Sequence, residues 1–293
     1  MLLKRLWRTS PDDLAFGIGR KLRGGASFDY TLPAVLRSAK HMRPVGLIDR
    51  WERYWRVISV SGAGAQKSNF DFADKTVFEL GCGPILGWGP MALFLGARQY
   101  YYDEPAALPE IIGLPVLRDR YFKVFHRELV ANYGDRMTFD QFYEKCLNHC
   151  HPLSLAGADE PHNGIDLFLS NSVLEHIPEA AMAGALARLV SMANPGAHYF
   201  HAVDFGQHGL LPSFDDMYRR PRNQGLGKGF INLLKPSEMS AALAGAGCRG
   251  DVVDYKVLAV DEAKLDAFWR PFALADLTTG VAFYVGSIGG EEG

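Results

Sequence analysis

The sequence predicts an α/β protein whose mainly parallel sheet is covered by helices on both faces. Three observations carry this prediction. Strand-like and helix-like segments alternate along most of the 293 residues, the pattern of a parallel sheet with crossover helices. The first clear strand runs straight into a glycine pair, Gly81 and Gly83. Finally, 48% apolar and 22% charged residues supply a substantial core and argue against disorder, collagen-like repeats and coiled coil.

The elements follow in order. Residues 1–60 read as a helical, basic extension, with apolar residues at three and four spacing over Pro33–His41 and Leu47–Ile58. A small and polar stretch at 61–70, including Ser61-Gly62-Ala63-Gly64, marks a linker. The body spans residues 71–293. Lys75–Leu80 is a β-prone run ending in glycines, Pro90–Leu95 a helix, and Gln99–Asp103 a strand closing on an acid. Pro109–Leu147 reads as a long helical region, Ile165–Ser170 as a strand and Pro178–Ala193 as a helix. His198–Phe205 is the next strand, reached through a turn at Asn194-Pro195-Gly196. Pro236–Gly245 is a helix with proline at its start, and Asp251–Val260 and Val281–Ile288 finish as strands.

Charge and cysteine content narrow the function. The net charge of −2 hides an asymmetry: residues 1–56 carry 12 Lys/Arg against 5 Asp/Glu, and the rest 19 against 28. An acidic body repels phosphates, so no nucleic acid partner is expected. The basic head, with Trp51, Tyr54 and Trp55, suits peripheral contact with anionic lipid, one wall of a substrate mouth, or simple core packing. No apolar run approaches the roughly 20 residues of a membrane-spanning helix, and no apolar region follows the basic start as in a secretory signal, so the expected location is the cytoplasm. Four cysteines are too few for a disulfide scaffold. Cys146, His149, Cys150 and His151 cluster, but zinc needs a second half-site, and no metal is expected.

The glycine turn is the most informative segment. Glycines after a strand let the backbone turn tightly and approach a ligand. The spacing onward to Gly87 does not give the dinucleotide pattern G-x-G-x-x-G. Asp103 ends the next strand, where a carboxylate can accept from both hydroxyls of a ribose; Glu104 is the fallback, and a helix N-cap the competing role for either.

The segments ELGCGP, GARQYYYD, DLFLSNSVLEHIPE and NPGAHYF, in this order, resemble the class I S-adenosylmethionine-dependent methyltransferases over about Asp71 to Gly289. The resemblance implies a Rossmann-like, seven-stranded, mostly parallel sheet, with Val281–Ile288 as the inserted antiparallel strand, and S-adenosylmethionine as cofactor. It implies that Glu79, Gly81 and Gly83 line the methionine end, Asp103 the ribose, and Ser170 and Asn171 the methyl donor. An acid near the adenine has no clear counterpart before the fourth strand, Asp159 standing closest. A bulky first loop (Pro84, Leu86, Trp88) is a further departure.

Methyl transfer to an oxygen needs a base beside the donor. His201, Asp204 and His208, at and beyond the end of the fifth strand, are the first candidates, with Asp204 able to set a histidine tautomer; His176 is the next. The absence of an Asn/Asp-Pro-Pro-aromatic run after Ser170 disfavours nucleobase amino groups. A looser similarity of His198–Cys248 to methyltransferases of glycan assembly implies a sugar or glycan hydroxyl as acceptor. The alternatives are a small natural product or lipid precursor methylated on O, N or C, and a non-catalytic cofactor-binding protein. A basic loop, Tyr218–Gly229, stands where it could close on a phosphate.

Overall fold

The computed structural model describes residues 31–38, 41–64, 67–104, 112–155, 164–206, 218–219, 221–222, 231–257 and 259–289. The basic start, and with it the expected membrane contact of residues 1–30, lies outside the described residues, as do His208, Asp159 and most of the 218–229 loop. Among the described residues no helix is long and apolar enough to cross a membrane.

Seven strands form one sheet: β1 (Thr76–Leu80), β2 (Gln99–Asp103), β3 (Cys150–Pro152), β4 (Ile165–Asn171), β5 (Ala193–Asp204), β6 (Cys248–Val257) and β7 (Thr279–Ile288). Their order is β3-β2-β1-β4-β5-β7-β6. The first five are parallel, while β7 is antiparallel to both β5 and β6. This is the expected Rossmann-like α/β fold, with the last strand inserted between β5 and β6. The chain runs outward from β1 in both directions, so the carboxyl ends of β1 and β4 flank the crevice where open α/β sheets bind ligands.

Alternation along each strand sends successive side chains to opposite faces, and two core clusters result. Val77, Tyr100, Leu169, Phe200 and Phe283 pack with α2 (Val45–Ser61), α3 (Gly89–Phe94), α4 (Lys123–Tyr133) and α5 (Phe139–Asn148). Phe78, Phe168, Tyr199, Val203 and Tyr284 pack with α6 (Glu179–Ser191) and α7 (Pro236–Gly245). A third, smaller cluster gathers Tyr218, Ile231, Leu233, Leu265, Trp269 and Leu277. A short helix, α1 (Leu32–Arg37), precedes α2 and buries Val35, while the capping box of Thr138 and Gln141 opens α5.

Three differences from the sequence expectations have local causes. The long helical region at 109–147 is broken at Gly134, which takes φ +82°, before α5 restarts at Thr138. β5 begins at Ala193 rather than His198, and its register against β4 shifts between Ile165 and Leu167, so the Asn194–Gly196 turn is drawn into the strand. β3 lies within the Cys/His cluster: His149 and His151 bracket the Gln99 amide at 3.2 and 3.0 Å, while Cys146 is buried in α5.

Helix α2 shows how the extension meets the body. Its inward face carries Ile48, Trp51, Tyr54, Trp55 and Ile58, all buried, with Arg53 and Arg56 outside. Trp51 packs edge-on against Trp88 (5.4 Å) and Phe200 (6.0 Å), and the Trp88 indole donates to the Leu47 carbonyl at 3.3 Å. Core packing, among the roles open to these aromatics, is one that all three fill. Trp51→Ala is expected to lower unfolding stability by about 3–5 kcal/mol, measured by urea denaturation; a loss under 1 kcal/mol would detach α2 from the core.

Candidate functional site

The loop after β1 is held from below. Glu79 is buried, and Oε2 accepts from the Trp88 backbone N–H and the Tyr100 hydroxyl, both at 2.8 Å. Burial pushes its carboxyl up to about 7, against these two hydrogen bonds and the Arg50 charge. The residue expected at the methionine end therefore sits beneath the loop and shapes it. Of the bulky residues expected in this loop, Leu86 and Trp88 fold inward to the core together with Ile85, and Pro84 is buried.

The glycines above it face the crevice. At Gly81, φ is +71° and a Cβ would stand 2.2 Å from Val173 Cγ2, so only glycine lets β1 and the turn after β4 approach this closely. Its N–H donates to the Asp103 carbonyl at 2.8 Å. At Gly83, φ is +73° and a Cβ would meet none of the described residues within 4 Å. The Gly83 N–H donates to Glu104 Oε2 at 2.9 Å.

The two acids after β2 divide their work. Asp103 lies opposite Leu80 in register, and its Oδ2 accepts from the Leu155 N–H at 2.8 Å, tying β2 to the segment after β3. Glu104, the fallback in the sequence, is the acid against the glycine turn. Both stand at the crevice end of β2.

The ends of β4 and β5 separate the remaining candidates. Ser170 and Asn171 are consecutive, so they point to opposite faces. Ser170 is fully buried and shares a 2.8 Å hydrogen bond with His201 Nδ1. His201 is itself buried and stacked on Tyr199 at 5.4 Å, and burial pushes its imidazole down to about 3. Ser170 and His201 thus form a neutral pair inside the sheet. Asn171 is half-buried at the strand end, and its Oδ1 accepts from the Tyr54 hydroxyl at 3.0 Å.

Asp204, at the end of β5, is half-buried, and its Oδ1 accepts from the Gly206 N–H at 2.8 Å. Its neighbour across the strand ends is Glu175, which is buried. Burial drives that carboxyl well above its usual range, its own backbone N–H bonds to it, and the charge of Asp204 raises it further. The turn carrying Glu175 and His176 is fastened by Asn232, whose N–H donates to the Glu175 carbonyl at 2.7 Å. The Asn232 amide also donates to the carbonyls of Leu174 and Ile177, each at 2.9 Å. His176 is half-buried on this turn. The hydrogen-bonding roles of Asn232 and Tyr54 escape sequence reasoning, which reads Tyr54 only as a lipid contact, a mouth wall or core; a polar residue within a buried apolar run, as in Ile231-Asn232-Leu233, is the one available signal for Asn232.

The basic loop meets a different fate at Arg222. Its guanidinium pairs with Glu238 (2.5 Å) and Glu179 (3.5 Å) and lies over the rings of Phe268, Trp269 and Phe272. Beside it, buried Lys235 donates to the Tyr218 hydroxyl at 2.9 Å. Arg222 is neutralised and sealed, which removes it from the phosphate role expected for this loop. Among the described residues no group of three or more His, Cys, Asp or Glu could hold a metal ion.

No protein-family model matches the chain, and no curated protein matches it. Among solved structures it is similar to an S-adenosylmethionine-dependent methyltransferase from Mesorhizobium loti, at 14% identity over 78% of this chain and 99% of that one, with a TM-score of 0.41. It is also similar to the YcgJ protein of Bacillus subtilis, at 10% identity over 77% of this chain and 96% of that one, with a TM-score of 0.43. Both likenesses are of fold, at identities too low to carry more, and the fold itself stands on the strand order.

The Glu79 environment has a pH signature. Its folded pKa of about 7 lies above the ordinary 4.5, so between these values the folded chain keeps a proton that the unfolded chain has lost. Stability from this group is therefore greatest below pH 4.5 and is lost as pH rises to about 7. Urea midpoints from pH 5 to 8 should fall more steeply in the natural chain than in Glu79→Gln; parallel curves would place the carboxyl in a hydrated setting.

Proposed function

We propose that this protein binds S-adenosylmethionine in the crevice between β1 and β4 and transfers its methyl group to a hydroxyl, with a sugar or glycan as the acceptor class to test first. The observation that carries the reading is the conjunction at the switch point. An open glycine turn, two acids at the end of β2, and Asn171 and Asp204 at the ends of β4 and β5 converge where this fold receives ligands. The residues fit the cofactor at Gly83, where a Cβ would meet none of the described residues within 4 Å.

In this reading Gly81 and Gly83 offer close backbone approach to the methionine portion, and Asp103 and Glu104 accept from the ribose hydroxyls. When bound, the cofactor supplies an electrophilic methyl group on a sulfonium, which leaves as a neutral thioether. The chain's own task is then to hold an oxygen in line and take its proton. Asp204 is the base that the described residues favour: it is half-buried at the carboxyl end of β5, where the Gly206 N–H holds its Oδ1. His201 is unsuited to the task because its ring is enclosed and paired with Ser170.

Calorimetric titration with S-adenosylmethionine, with NAD as control, tests the cofactor. Binding of the former alone is expected, weakened by about 1–3 kcal/mol in Asp103→Ala through loss of charge-assisted hydrogen bonds. Unchanged affinity would remove Asp103 from the ribose. Asp204→Asn should keep cofactor affinity and reduce release of S-adenosylhomocysteine at least about a hundredfold across a panel of sugar hydroxyl acceptors, the low end of general-base contributions of about 10²–10⁴. Full turnover in that variant would move the base to another residue.

A further inference from the structure

The hydroxyl of Tyr54 crosses from α2 to the end of β4 and donates to Asn171 Oδ1 at 3.0 Å. Tyr54 is not free to follow the amide elsewhere. It is buried, with its ring 4.5 Å from Phe283, 5.5 Å from Tyr255 and 5.9 Å from Phe200, and α2 is tied to the first loop through Trp88 and Leu47. A carboxamide is planar, with its acceptor on one side and its two N–H donors on the other. Holding Oδ1 against α2 therefore turns Nδ2 away from the packed face. Among the described residues, no hydrogen bond is made by Nδ2 of Asn171.

We propose that Tyr54 is a positioning residue that sets specificity: by occupying Oδ1 it leaves Asn171 able only to donate into the site, which selects an acceptor that reacts through oxygen rather than through an N–H nitrogen. The inference rests on the methyl-transfer reading above and adds the residues that discriminate. An attacking hydroxyl oxygen has two lone pairs. One faces the methyl carbon and the other receives an Asn171 N–H, while the O–H proton passes to Asp204. A neutral amine has a single lone pair, which the new bond consumes, so its N–H groups confront the N–H donors of Asn171. An unmatched donor pair of this kind in a partly desolvated site rejects the wrong substrate more strongly than shape alone.

The test uses the full chain labelled with ¹⁵N-asparagine, saturated with S-adenosylhomocysteine. Nuclear Overhauser contacts from the Tyr54 ring to the Asn171 side-chain amide protons should be weak or absent. In Tyr54→Phe, which keeps the ring, the two amide resonances should shift and exchange between orientations. Strong ring-to-amide contacts in the natural chain would overturn the proposal, because they would put Nδ2 against α2. This result is independent of turnover.

A second arm compares release of S-adenosylhomocysteine with a methyl glucoside and with its 2-amino-2-deoxy and 6-amino-6-deoxy counterparts. The hydroxyl compound should be preferred, and Tyr54→Phe should erode that preference about tenfold, the weight of one hydrogen bond. An amino sugar methylated on nitrogen as readily as the glucoside is on oxygen, or a ratio unmoved in Tyr54→Phe, would overturn it. Failure to bind S-adenosylhomocysteine would instead remove the underlying methyl-transfer reading; a bound cofactor product beside a reversed amide would remove this inference alone.

Discussion

Glu79 lies buried in the central strand, and the path of the chain from Gly81 to Trp88 depends on how its carboxyl is satisfied. The Trp88 N–H and the Tyr100 hydroxyl close on the same oxygen, which draws the far end of the loop back over β1. That return brings Trp88 against α2, where its indole meets the Leu47 carbonyl. It also leaves Gly83 on the outer turn, exposed to the crevice with a carboxylate of Glu104 at its N–H. Burying an acid is costly unless its oxygens are bonded, so the loop and the carboxyl constrain each other.

Helix α2 then takes on two functions. Its aromatic face completes the hydrophobic layer over β4, β5 and β7, and one member of that face, Tyr54, carries a polar tip to the strand end. Tyrosine suits such a place because it combines a large apolar body with a hydroxyl that finds a partner. The opposite end of the site is fastened in a similar way by Asn232, which caps the carbonyls of the turn after β4. Residues distant in sequence thus clamp the short stretch from Asn171 to Ile177 from both sides. The small cluster around Tyr218, Lys235 and Trp269 anchors the chain on either side of that clamp.

Much of the framework was legible in the sequence. The order of strands and helices, the glycine turn and the acids at the end of β2 come from local periodicity and backbone sterics, which operate over a few residues; the antiparallel insertion of the last strand was implied only by the resemblance. Boundaries slipped where a tertiary partner extended or interrupted an element. β5 gained residues by pairing irregularly with β4, and β3 formed within three residues because an adjacent edge of β2 was waiting for it.

Side-chain direction was not legible. Ser170 and Asn171 look equivalent in the sequence, yet the pleat sends one into the core with His201 and the other to the strand end. Arg222 reads as a free cation, but Glu238 and three aromatic rings enclose it. Tyr54 and Asn171 are 117 residues apart, and no local pattern links them. The sequence by itself determined the sheet, the turn and the chemistry available at the strand ends, because short-range geometry dictates each of these. Which of those groups face the crevice, and which are consumed in holding it open, was decided only by the tertiary structure, because burial and long-range hydrogen bonds assign each side chain its side.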